Sequence, residues 1–102
     1  MISRLWHGYT LHKNADAYES LLKEEIFAGI KNRKIKGFKG IQLLRRSLDN
    51  EVEFITIMWF DSYNSIKEFA GDDYENAVVP EKAQKILSRF DKRSQHYEVK
   101  EG

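Results

Sequence analysis

Three histidines, His7, His12 and His96, are the side chains in this 102-residue sequence whose protonation changes near neutral pH, and cysteine is absent. An imidazole can act as a general base, relay a proton or ligate a metal. His7 lies in Ile2–Thr10 (ISRLWHGYT), a run of β-branched, aromatic and polar residues without helical spacing, which predicts a strand. Alternation puts His7 on one strand face with Leu5 and Tyr9, and we expect that face to look toward the helices, so that the imidazole enters a cleft between sheet and helices. A histidine satisfied by a backbone carbonyl or a tyrosine stays open as the alternative.

No Asp or Glu stands at a spacing that completes a two-histidine, one-carboxylate site, and His12 would project to the face opposite His7, so no metal is expected. His96 belongs to a last strand expected to lie beside the first. There it would either titrate together with His7 or serve a structural role, with Tyr97 anchoring an interface. The missing cysteines remove disulfides, zinc ribbons, iron–sulfur clusters and thiol nucleophiles, and they suit a reducing, cytoplasmic setting. Glycine-rich phosphate loops, the G-x-S-x-G elbow and the dinucleotide fingerprint are absent too, so no cofactor is called for. A net charge of +1 supplies no general field for nucleic acid or an anionic membrane. The basic stretch from Lys31 to Lys39 carries only Phe38 for stacking and reads as a solvated helix end. The run from Phe54 to Phe60 is too short to span a bilayer, and the N-terminus lacks the layout of a signal peptide.

Positioning these residues requires a sheet and helices. From Asn14, a suitable N-cap, Ala15, Tyr18, Leu22, Ile26 and Ile30 recur at helical spacing, and Gly37 is placed to stop the helix. Phe38–Ser47 and Val52–Phe60 predict a hairpin turning at Asp49-Asn50. Asp61-Ser62 caps a short helix containing Ile66, Phe69 and Ala70 and ending at Gly71. Pro80 opens another turn with Ala83, Ile86, Leu87 and Phe90 on one side, and Arg93–Lys100 predicts the last strand. The order βαββαβ in one domain, 1–102, implies a ferredoxin-like α+β sandwich with a four-stranded antiparallel sheet.

Strand Val52–Phe60 is apolar on both faces, with Ile55, Ile57 and Trp59 opposite Phe54, Met58 and Phe60. Helices can cover only one face, so we expect a homodimer packing sheet on sheet. Arg4, expected on that second face with Trp6, would need a carboxylate, and Glu53 is the candidate.

In order along the chain, Arg4-Leu5-Trp6-His7-Gly8, Gly37-Phe38-Lys39-Gly40, Phe60-Asp61-Ser62 with Ile66 and Phe69-Ala70-Gly71, and His96-Tyr97-Glu98-Val99 resemble the antibiotic biosynthesis monooxygenase-like family. The resemblance spans nearly the whole chain and implies a dimeric α+β barrel. The family includes cofactor-free oxygenases of anthrones and quinols, haem-degrading enzymes and proteins without demonstrated activity. By that resemblance His7 becomes the base or proton relay for a small aromatic substrate, with Tyr9, Met58, Phe60, Phe69 and Tyr74 around it. The alternative is a dimeric barrel that binds a small apolar ligand, or acts in stress response, without catalysis. The haem-degrading branch uses an Asn, a Trp and a His where this sequence has His7, Phe60 and Val78, which argues against haem breakdown.

Overall fold

The computed structural model, which describes residues 1–102, has three long strands, β1 (Ile2–Thr10), β2 (Phe38–Ser47) and β3 (Val52–Phe60), of which β1 and β3 are rich in β-branched and aromatic residues. All three match the expected bounds. The sheet is antiparallel, with β1 between β3 and the C-terminal strands and β2 at the far edge beyond β3. The fourth position is split: β4 (Arg89–Phe90) and β5 (Gln95–Glu98) both pair with β1, where a single strand from Arg93 to Lys100 was expected. Phe90, expected on the last helix, belongs to β4. The result is an α+β, ferredoxin-like sheet of five strands in four positions.

The first helical segment differs from expectation at both ends and in its middle. A short 3-10 turn over His12–Asn14 leads into α1 (Ala15–Leu21), and the Asn14 side chain makes no capping bond. A π-helical turn (Leu22–Ile26) then joins α1 to α2 (Phe27–Asn32). That helix ends at Asn32, before Gly37, and Gly37 serves the turn into β2 instead. Its φ of +92° is compatible with glycine, and a Cβ there would meet Ser65 Oγ at 2.1 Å and Asp61 Oδ1 at 2.2 Å.

Helix α3 (Tyr63–Ala70) begins as expected, with Ser62 Oγ accepting from the Ser65 amide at 3.3 Å. It ends at Gly71, whose amide donates to the Lys67 carbonyl at 2.7 Å. Pro80 precedes α4 (Glu81–Ile86).

All helices cover one face of the sheet. Tyr18, Leu22 and Phe27 pack with Val52, Phe54 and Ala83 in one apolar cluster, and Ile66 and Phe69 pack with Ile2, Met58 and Phe60 in a second. Phe54 and Phe60 are fully buried without any partner chain. Ile55, Ile57 and Trp59 occupy the opposite face of β3 and are only partly covered. No helix is long and apolar enough to cross a membrane.

Candidate functional site

Cross-strand register decides which residues of β1 reach the helices. Directly opposed residues of an antiparallel pair share a face, and Ile2 opposes Phe60, Arg4 opposes Met58, Trp6 opposes Thr56 and Gly8 opposes Phe54. Since Phe54, Met58 and Phe60 lie under the helices, so do Arg4 and Trp6. Leu5, His7 and Tyr9 therefore occupy the open face, the reverse of the expected arrangement. β1 carries apolar residues on both faces, so alternation within it could not choose between them.

The cleft between sheet and helices holds a cavity of about 60 Å³, apolar apart from Arg4, Thr56 and Ser94. Trp6, Met58 and Ile41 form its floor, while Tyr18, Leu22 and Ile26 come from α1 and the π turn, and Val78, Val79, Pro80 and Ala83 close the far side. Leu22 and Ile26 are supplied by the π turn itself, a distortion frequent at functional sites. Through Ile26, Ile30, Phe69, Val78 and Pro80 the cavity adjoins an outer groove of about 340 Å³. Glu25 and Lys82 line that groove and pair at 2.9 Å between the π turn and α4.

Arg4 supplies the polar end. It is 3% exposed, and its Nη1 donates to the Tyr74 carbonyl and, at 3.0 Å, to His96 Nε2, while Nη2 donates to the Asn76 carbonyl at 3.2 Å. Burial lowers its pKa to about 10, so the guanidinium is still charged at neutral pH. Burial, then the adjacent Arg4 charge, lowers the His96 pKa to about 4. The imidazole is therefore neutral, and because Arg4 donates to Nε2 the proton resides on Nδ1, a buried atom with no partner. Tyr18 reaches the cleft as a phenol held well above its ordinary range by burial.

The expected site residues separate accordingly. Met58 and Phe69 line the cleft. Phe60 is fully buried in the core beneath it. Tyr74 does not line it either: its ring stands edge-on to His96 and Tyr63, with centroids 5.1 and 5.4 Å away, and its carbonyl holds Arg4. Tyr9, on the open face, donates to Glu53 Oε2 at 3.1 Å. His7 is also on the open face, its Nδ1 2.7 Å from Asp91 Oδ2 and both side chains about 30% exposed. His7 and His96 are thus on opposite faces, and His12 bonds instead to the Leu48 carbonyl at 2.9 Å. Glu53 does not partner Arg4; it pairs with Arg46 at 2.7 Å, chiefly for which its carboxyl sits below the usual range.

Arg4, Trp6 and Tyr18 are the cleft residues that sequence reasoning missed. The sequence offered only an arginine within a strand apolar on both faces, and the pairing that sets Arg4 opposite Met58 decides its side.

The backbone is similar to that of a Bacillus cereus protein described provisionally as an antibiotic biosynthesis monooxygenase, with a TM-score of 0.60 at 15% identity over 99% of this chain and 91% of the other. The chain shares the fold of that protein. No family model matches the chain, and no curated protein is detectably similar to it.

Proposed function

We propose that the chain is half of a homodimeric antibiotic biosynthesis monooxygenase-like barrel that binds a small aromatic molecule in its helix-side cleft and oxygenates it there. The apolar cleft on a covered sheet face, with one charged end, is the observation that supports this reading. The half-covered residues Leu5, Ile55, Ile57 and Trp59 on the other face, with Leu44 41% exposed, support a second copy packed against it.

In such an oxygenation the substrate supplies the electrons. An acidic C–H or O–H is ionised, its proton passing to water at the groove, and the anion reduces dioxygen, the peroxide formed taking its proton back from water. One oxygen atom enters the product as a carbonyl and the other leaves as water with the two hydrogens removed. In this reading Arg4 stabilises the anion, Trp6, Met58 and Phe69 keep the site dry, and the Tyr18 hydroxyl hydrogen-bonds to a developing peroxide without giving up its proton. His7 would touch no substrate held in its own chain's cleft. His96 is a poor base, since Arg4 occupies its Nε2, so the reading favours substrates acidic enough to ionise beside a guanidinium.

A binding role without catalysis is the second reading: the inner cavity of about 60 Å³ is smaller than the roughly 150 Å³ that holds benzene in an engineered core, so an aromatic ligand must extend from it into the adjoining groove of about 340 Å³, where water is not excluded. Oxygen uptake with a panel of hydroquinones, naphthols and anthrones separates the two. Stoichiometric uptake abolished by Arg4→Met and retained by His7→Ala supports oxygenation. Binding with no uptake across the panel supports the second reading, and loss of uptake in His7→Ala would return the imidazole to the mechanism.

A further inference from the structure

Charge in the cleft has no counter-charge. Arg4 forms no ion pair: its protein partners are two carbonyls and a neutral imidazole. Arg33 resembles it, giving its Nη1 and Nη2 to the Phe69 and Glu68 carbonyls at 3.1 and 3.0 Å. The two guanidinium carbons lie 5.4 and 5.2 Å from the centroid of the Phe69 ring. Arg4 lines the inner cavity and Arg33 the outer groove, so the same phenyl ring is in contact with a buried cation and an exposed one, neither of which is paired with a carboxylate.

Holding a guanidinium out of water without an anion is costly, and carbonyl oxygens compensate for only part of that cost. If Arg4 served only to tie the segment around Tyr74 and Asn76 to the sheet, a neutral donor would do so at less expense. Arginine has five N–H donors, and three are used here, which leaves two without a protein acceptor. Thr56 and Ser94 bring hydroxyls to the same lining. A carboxylate or phenolate oxygen accepts from such donors strongly because the bond is charge-assisted and the site is dry.

We propose that the cleft takes its ligand as an anion: a small, flat apolar molecule whose single oxyanion, a carboxylate or phenolate, seats on Arg4 while its body lies against Trp6, Met58 and Phe69. Arg33 draws the anion in at the groove. This inference rests on the cleft being the binding site, and it adds the charge of what binds.

The test is calorimetric titration of the full chain with 2-naphthoate and 2-naphthamide, which share an aromatic body and differ in charge. Wild type is expected to prefer the carboxylate by roughly 10- to 100-fold, as one charge-assisted contact implies. Arg4→Met should reduce that preference to about threefold or less, Arg4→Lys should keep part of it, and Arg33→Gln should slow association with little change in the preference. Near-UV circular dichroism checks that each variant is folded. If Arg4→Met does not fold, the wild-type pair decides, since its preference needs no variant. Equal affinities for the two naphthalenes would overturn the anion inference and leave the cleft reading standing. Val78→Trp, at a half-exposed position lining both cavity and groove, should block both ligands. Unchanged binding in Val78→Trp, or no binding of either compound to wild type, would sink the cleft reading and the inference with it.

Discussion

Each face of the sheet holds one imidazole, and the two differ in what stands beside them. On the open face, His7 Nδ1 meets a carboxylate oxygen of Asp91 that also accepts the His7 amide at 3.1 Å and the Gln95 amide at 3.3 Å. On the helix face, His96 Nε2 meets the guanidinium of Arg4. Burial and the cation beside it disfavour the charged form of the His96 imidazole. The faces are therefore built for different work. The helix face excludes water around a fixed positive charge, whereas the open face sets polar pairs, His7 with Asp91 and Tyr9 and Arg46 with Glu53, among half-covered apolar residues.

Adjacent residues of β3 offer the sharpest way to break this contrast. Phe60 is fully buried under α3, and Trp59 lies on the other face. Phe60→Ala should cost about 3–5 kcal/mol of unfolding free energy, independent of protein concentration. Trp59→Ala should leave the stability of the single chain within about 1 kcal/mol and lower only the concentration-dependent part contributed by the proposed dimer. Urea unfolding at several protein concentrations measures both. Equal, concentration-independent losses would mean that the open face needs no partner.

Next in size is Gly8→Ala. A Cβ on Gly8 would stand 2.7 Å from Trp6 Cη2, 2.8 Å from Trp6 Cζ3 and 3.0 Å from a methyl group of Leu87. The indole lies over Gly8 and its Nε1 donates to the Asp91 carbonyl at 2.8 Å, so it has little room to yield. A destabilisation of about 1–3 kcal/mol is expected, together with a change in Trp6 fluorescence and weaker ligand binding. Gly40→Ala, where a Cβ would meet nothing within 4 Å, is the control for added volume, although its φ of +156° adds some backbone cost.

How far the sequence could be read follows from the same contrast. The long strands, the Ser62 cap, the stop at Gly71 and the start after Pro80 were legible because each rests on local chemistry within a few residues. Which face of β1 meets the helices was not, because Ile2 and Trp6 on one side and Leu5 and Tyr9 on the other are about equally apolar. The choice is made by pairing with β3, at a separation of some fifty positions, as in His7 opposite Ile55. That single inversion carried His7 and Tyr9 out of the expected site and brought Arg4 and Trp6 into it. The π turn was hidden for another reason: Leu22 and Ile26 keep the apolar spacing of an ordinary helix, and their sequence marks no breaker. Division of the last strand into β4 and β5 was equally unmarked, since Asp91 leaves the strand to serve His7 and Trp6 rather than to satisfy any local propensity.

A smaller effect tests the helix-face imidazole. The folded-state pKa of His96 is about 4, against an ordinary 6.5, so between those values the unfolded chain binds a proton that the folded chain refuses. Stability contributed by the neutral imidazole is full above about pH 6.5 and is lost as the pH falls toward 4. Carboxylates such as Glu53 and Asp61, held below their ordinary values of 4.5 and 3.8, add their own losses only lower in that window. Between pH 6.5 and 5 the slope of unfolding free energy against pH should therefore correspond to no more than one proton, and His96→Gln should flatten it. An unchanged slope would show that His96 is not held neutral by Arg4 and its burial.

The smallest effect belongs to His7. Its side chain and that of Asp91 are each about 30% exposed, so water competes for the contact, and partly exposed polar pairs contribute about 0–1 kcal/mol. His7→Gln keeps an amide able to donate toward Asp91 and should change the unfolding free energy of the single chain by less than about 1 kcal/mol. Ligand affinity in the cleft, on the other side of the sheet, should stay within about twofold. Asp91→Asn should do more than His7→Gln, because its Oδ2 also accepts the His7 backbone amide at 3.1 Å and so fixes the strand as well as the ring. Sedimentation equilibrium on both variants then shows whether the pair matters to the proposed second copy. If His7→Gln leaves the monomer–dimer equilibrium and the cleft unchanged while Asp91→Asn shifts the equilibrium, the imidazole is a passenger and the carboxylate shapes the open face; the reverse order would give His7 a direct contact across the dimer.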